Sequence, residues 1–179
     1  ADVFGGITIS RLIALIAPLV LLSILITSLG PALTGEAPPW RYIGVLLGAS
    51  TTLIVAFTGI GLFISTHTDS AARTLIWALL AWAMGVALMA FGLVAVLLQW
   101  RIEPATAFTL AVVNPVQCAR FLLLASADPE LSTLGPVGFF LVNKLGTHAL
   151  QLIGFGWPLL VGLGTGTAAW RKFRSSDLV

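Results

Sequence analysis

Long apolar runs separated by short polar breaks dominate the chain, and they lack the alternation that marks strands. The first uncharged run extends from about Leu12 to Leu29, where Gly30-Pro31 reads as a helix stop and Pro18 as a kink. A turn-rich stretch, Thr34 to Arg41, carries Gly35, Pro38 and Pro39 and delivers Trp40 and Tyr42 to a membrane interface. A second run follows from about Ile43 to Ser65, and the polar string His67 to Arg73 ends it. The third covers Thr74 to Trp100, long enough to tilt, and is closed by Arg101, Glu103 and Pro104. The last covers Thr147 to Trp170. At 1.5 Å per helical residue each run can cross roughly 30 Å of hydrocarbon, so the pattern predicts an all-α polytopic membrane bundle of four spans in one domain, residues 1–179.

One segment breaks the pattern. Ala105 to Val113 is apolar but too short for a helical crossing, so it either dips in and returns or lies flat. Asn114-Pro115-Val116-Gln117 then supplies an N-cap, a first-turn proline and a glutamine at the third helical position, predicting a helix from Pro115 to Ala125. Asp128-Pro129-Glu130 repeats the logic for a second short helix, which Gly135-Pro136 ends.

Composition agrees with the pattern: 58% of residues are hydrophobic and 9% charged, with a mean hydropathy of +1.04, against about 25% charged in a soluble domain. The net charge of +2 comes from few groups, three of them clustered as Arg171, Lys172 and Arg174. Such a cluster anchors a helix on the cytoplasmic side and does not form a nucleic-acid patch. It places the C-terminus inside, with Arg11 and Arg73 on the same face and Arg41, Arg101, Arg120 and Lys144 outside. The chain starts at Ala1 with nothing that reads as a signal peptide ahead of its first apolar run.

Candidate chemistry is sparse. No phosphate-binding G-x-x-x-x-G-K-[ST] loop occurs, so any ATP is expected on a partner, and no catalytic residues, cofactor or metal site are assigned. His67 and Asp69, in THTDS, read as a solvated loop. The spans as drawn hold no Asp, Glu, Lys or Arg, which disfavours coupling to a proton or sodium gradient. Gln99, His148 and Gln151 read as interfacial or interhelical hydrogen-bonders ahead of substrate ligands. The lone Cys118, with Met84 and Met89, reads as packing and not as a soft-metal site. Gly44/Gly48 and Gly162/Gly166 form two GxxxG pairs, expected first to pack helices within the subunit and second to make a dimer contact. Arg120 is expected to pin the short helices by pairing with Asp128 or Glu130. Asn114, Pro115, Arg120, Gly162 and Gly166 are therefore the structural or gating candidates.

With four spans, a helical insertion before the last, and the strings NPVQCARFLLL, LGPVGFFLVNKLG and AWRKFRSSDL, the chain resembles the type-2 ABC transporter permeases. It looks most like the permease of the nitrous oxide reductase maturation transporter and its relatives, with ADVFGGITISRLIAL similar to their entry into the third helix. The resemblance implies a six-helix subunit whose first two spans precede this segment, in the cytoplasmic membrane. It implies three associations within that bilayer: a cytoplasmic ATP-binding cassette subunit, a second permease copy in a dimer and a periplasmic accessory protein. The relatives serve copper-site or sulfur delivery, and that cargo is not carried over. The alternative reading is a non-transporting membrane anchor or scaffold subunit.

Overall fold

The computed structural model describes residues 2–88, 104–128, 130–132, 138 and 141–176. Among these residues there is no strand, and the bundle is all-α. Helix α1 covers Asp2–Thr34, α2 Trp40–His67 and α3 Ala71–Ala83, the last running into a π-helical turn, Met84–Leu88. Two short helices follow, α4 at Pro104–Val112 and α5 at Pro115–Ala127, and a second π turn, Leu141–Leu145, leads into α6, Gly146–Ser176. Three stretches are long and apolar enough to cross a membrane: Val3–Thr34, Trp40–His67 and His148–Ser175. Of the remaining expected span, Thr74 to Trp100, the part up to Leu88 is helical; residues 89–100 lie outside the described residues.

The polar punctuation works through capping. Ser70 caps α3 by accepting from the Arg73 N–H, and the Thr68 hydroxyl donates to the Ile64 carbonyl at the end of α2. His67 lies 2.8 Å from the Phe63 carbonyl through Nδ1, so the THTDS string closes a tight corner between two helices. Within α1, the hydroxyls of Thr8, Ser23 and Thr27 turn back onto carbonyls of the preceding turn. That satisfies polar groups inside the helix, as a lipid surround requires.

Two expectations about α1 are corrected. Gly30-Pro31 does not stop the helix, which runs through Pro18 and Pro31 to Thr34. The helix continues through Pro31 despite its missing N–H, and the stop comes from Gly35, whose φ of +72° is left-handed and whose N–H reaches the Pro31 carbonyl at 2.9 Å. At the other end α1 starts ten residues before Leu12, so Arg11, drawn outside the span, lies inside the helix.

Helices α2 and α6 form the spine of the bundle and run parallel. Gly48 faces the Phe155 ring, Val55 and Ala56 face Gly162, and Gly59 approaches Gly166, so the register advances evenly along both helices. A Cβ on Gly162 would stand 2.6 Å from the Val55 carbonyl oxygen and 2.8 Å from the Ala56 Cα, and a Cβ on Gly59 would collide with the Gly162 carbonyl. Only glycine allows backbones this close. The Gly162/Gly166 pair therefore packs helices within the subunit, whereas Gly44 of the other pair faces open space. Helix α1 closes on the spine near its start, where Phe4 and Phe173 lie 5.4 Å apart.

Candidate functional site

Helices α4 and α5 form a hairpin against the spine. Its core joins Phe108 of α4 to Leu131 and Leu150, with Phe121 of α5 packed alongside, and the Phe108 and Phe121 rings are 5.9 Å apart. One turn deeper, Leu122 of α5 rests on Gly154, where a Cβ would stand 2.6 Å from the Leu122 Cβ, and packs with Ala49 and Ala119. Deeper again, Trp157 reaches the bend at Val113. The hairpin thus descends α6 from Leu150 to Trp157. At 1.5 Å per residue, Trp157 lies roughly 16 Å from the start of α6, about half of a 30 Å hydrocarbon core. Of the two options, the hairpin's course alongside α6, a helix long enough to cross a membrane, fits dipping in.

Irregular backbone in an apolar setting persists only if its polar groups find partners, and several of the bend's groups have them. The Asn114 N–H donates to the Ala111 carbonyl at 3.0 Å, and the Asn114 carbonyl accepts from the N–H groups of Gln117 and Cys118. The Cys118 thiol donates to the Val112 carbonyl at 3.2 Å and the Trp157 indole N–H to the Val113 carbonyl at 3.1 Å. Asn114 uses both ends of its amide: Oδ1 accepts from the Val116 N–H at 2.9 Å and Nδ2 donates to the Gly85 carbonyl at 2.6 Å. Pro115 has no N–H to satisfy, which is why it suits the first position of α5. The reciprocal half of a capping box, Gln117 onto the Asn114 N–H, is not formed because Ala111 already holds that donor.

The bend is therefore tied to two helices at once. Asn114 holds the π turn at the end of α3, and Trp157 holds it to α6. A π turn offers such a carbonyl because its i→i+5 pairing loosens the regular ladder. Through the bend, these two bonds link the end of α3 to α6. Among the described residues no group of three or more His, Cys, Asp or Glu could hold a metal ion.

The other sequence candidates fall in different places. Pro115 and Asn114 form the bend, while Gly162 and Gly166 lie at the α2–α6 crossing. Arg120 is exposed on α5. The Asp128 carboxylate, one of its two expected partners with Glu130, receives the Glu130 N–H and the N–H and hydroxyl of Ser132, as an N-cap does. Most of the second short helix lies outside the described residues. His148 and Gln151 line a surface cleft of about 470 Å³ with Thr52 and Phe155; Gln99 and Met89 lie outside the described residues. Met84 opens the π turn and is exposed, away from buried Cys118. Sequence reasoning missed Trp157, Gly85 and Gly59. Only Gly59 had a local signal, the small residues Ala49, Ala56 and Gly59 spaced along one face of α2.

The ends of the bundle differ in character. Phe4, the His67–Arg73 corner and the Arg171, Lys172, Arg174 cluster share one end, where the Arg174 guanidinium lies 5.8 Å from the centre of the Trp170 ring. The open mouth of the hairpin, Trp40 and His148 share the other. Comparison with known protein families, characterised proteins and solved structures gives no match for this chain.

Proposed function

We propose that the chain is the membrane-spanning part of an ABC transporter permease that acts as a dimer with cytoplasmic ATP-binding cassette subunits. The observation that carries this reading is the hairpin directly ahead of the last span, hung from α3 and α6 by hydrogen bonds at its bend. It falls where the sequence resemblance calls for a helical insertion outside the cytoplasm. The shared end of Phe4, His67–Arg73 and the basic cluster supplies one surface on which an ATPase could push. Movement applied there would reach the bend through α3 and α6.

Reconstitution tests the proposal. The full chain, joined to the two spans that the resemblance places before it, is placed in proteoliposomes with and without its cassette partner. ATP hydrolysis is expected only with the partner, and a mutation of the partner's phosphate-loop lysine is expected to abolish it. A membrane anchor would show no change in the partner's ATPase rate on assembly. Solute movement driven by a proton or sodium gradient, indifferent to the lysine mutation, would overturn the proposal.

A further inference from the structure

Between α1, α2 and α3 lies a cleft of about 630 Å³ that ends against Val116 of α5. Its walls are apolar, with Leu15, Leu53, Phe57 and Trp82 among them, and Leu15 and Trp82 remain more than half exposed at its rim. One charged side chain lines it, Arg11, and among the described residues no carboxylate pairs with that guanidinium. Arg11 immediately precedes the uncharged run of α1 and lies seven residues, roughly 10 Å, inward from Phe4 and the basic end of the bundle, within reach of a headgroup through its long side chain. Arg11 is exposed at the mouth of this apolar groove, so its guanidinium is open to an anionic headgroup whose acyl chain can follow the groove.

We infer that this cleft binds an anionic phospholipid from the bilayer, its phosphate on Arg11 and one acyl chain along Phe57 towards Val116. From Gly61 to Leu53 the groove follows α2 for roughly 12 Å, enough for about ten methylenes. The chain end would then lie beside Val116, whose N–H is held by Asn114 at the bend, so a bound lipid braces the hairpin from below. The inference does not depend on the transport proposal, because it concerns retention of lipid and not turnover.

The test is thermal unfolding of the full chain in a neutral maltoside detergent, with native mass spectrometry of retained lipid. Phosphatidylglycerol is expected to raise the midpoint and to remain bound, while phosphatidylcholine and inorganic phosphate do neither. Arg11→Gln is expected to weaken phosphatidylglycerol binding roughly fivefold to tenfold, and Arg11→Lys to keep most of it. Gly61→Leu provides an independent block, since Gly61 lines the cleft and a Cβ there meets nothing within 4 Å. It should not lower the lipid-free midpoint, since an open helical glycine is replaced, and it should abolish the lipid-dependent rise. Equal shifts with phosphatidylcholine would reduce the site to a greasy groove, and an equal shift with inorganic phosphate would make Arg11 a free-anion site. Either result, or undiminished binding by Arg11→Gln, overturns the inference.

Discussion

Gly162→Ala is expected to destabilise the purified chain by about 3 kcal/mol, at the upper end of what overpacking costs. The added methyl would stand 2.6–2.8 Å from the Val55 carbonyl and the Ala56 Cα. These are backbone atoms, which cannot swing aside as a side-chain tip can, so α2 and α6 must separate over their whole crossing. Without a hydrophobic force between helices in lipid, lost close packing is not recovered elsewhere. Gly164→Ala is the control. Its Cβ would meet nothing within 4 Å, and replacing an open helical glycine gains up to about 1 kcal/mol. Thermal unfolding followed by tryptophan fluorescence checks both, and equal midpoints for the two variants would mean that the crossing is misplaced.

Asn114→Ala is expected to release the hairpin. It leaves the Val116 N–H and the Gly85 carbonyl without partners in a low-dielectric setting, at about 1–3 kcal/mol for each group. A combined loss near 3 kcal/mol corresponds to roughly a hundredfold rise in the open population. The chain carries its own reporter, because Cys118 is 1% exposed and lies one turn into α5. Maleimide labelling of Cys118 should therefore accelerate about a hundredfold in Asn114→Ala. Asn114→Ser keeps an acceptor for the Val116 N–H and loses the donor to Gly85, so its rate should rise roughly tenfold. Labelling of Asn114→Ala as slow as in the unaltered chain would show that the two amide bonds do not hold the bend.

Much of this architecture was legible because its signals are local. Apolar runs located α2 and α6, and Asn114-Pro115 located the start of α5, since a cap and a first-turn proline act within three residues. The end of α1 was misread because Gly30-Pro31 is a stop signal calibrated on helices in water. In an apolar setting a proline costs one hydrogen bond, while leaving the helix exposes several polar groups. Arg11 was placed outside the span by the same habit of ending a helix where its hydrocarbon run ends. The bonds that make the site were not legible at all: Asn114 to Gly85 and Trp157 to Val113 join residues 29 and 44 positions apart. Neither a π turn nor the partner of an indole N–H has a sequence pattern. Of the two glycine pairs, spacing alone could not tell Gly162, pressed on backbone, from Gly44, which faces open space.

The central claim is that α4 and α5 enter the membrane and return to the same side. Single cysteines in a Cys118→Ser background test it most directly, at Thr106 on α4, Ala127 on α5 and Ser175 at the end of α6, all exposed. In intact cells an impermeant maleimide is expected to label Thr106→Cys and Ala127→Cys from outside, and Ser175→Cys only after the membrane is opened. Labelling of Thr106→Cys and Ala127→Cys from opposite sides would mean that residues 104–127 cross the bilayer, and would contradict the account.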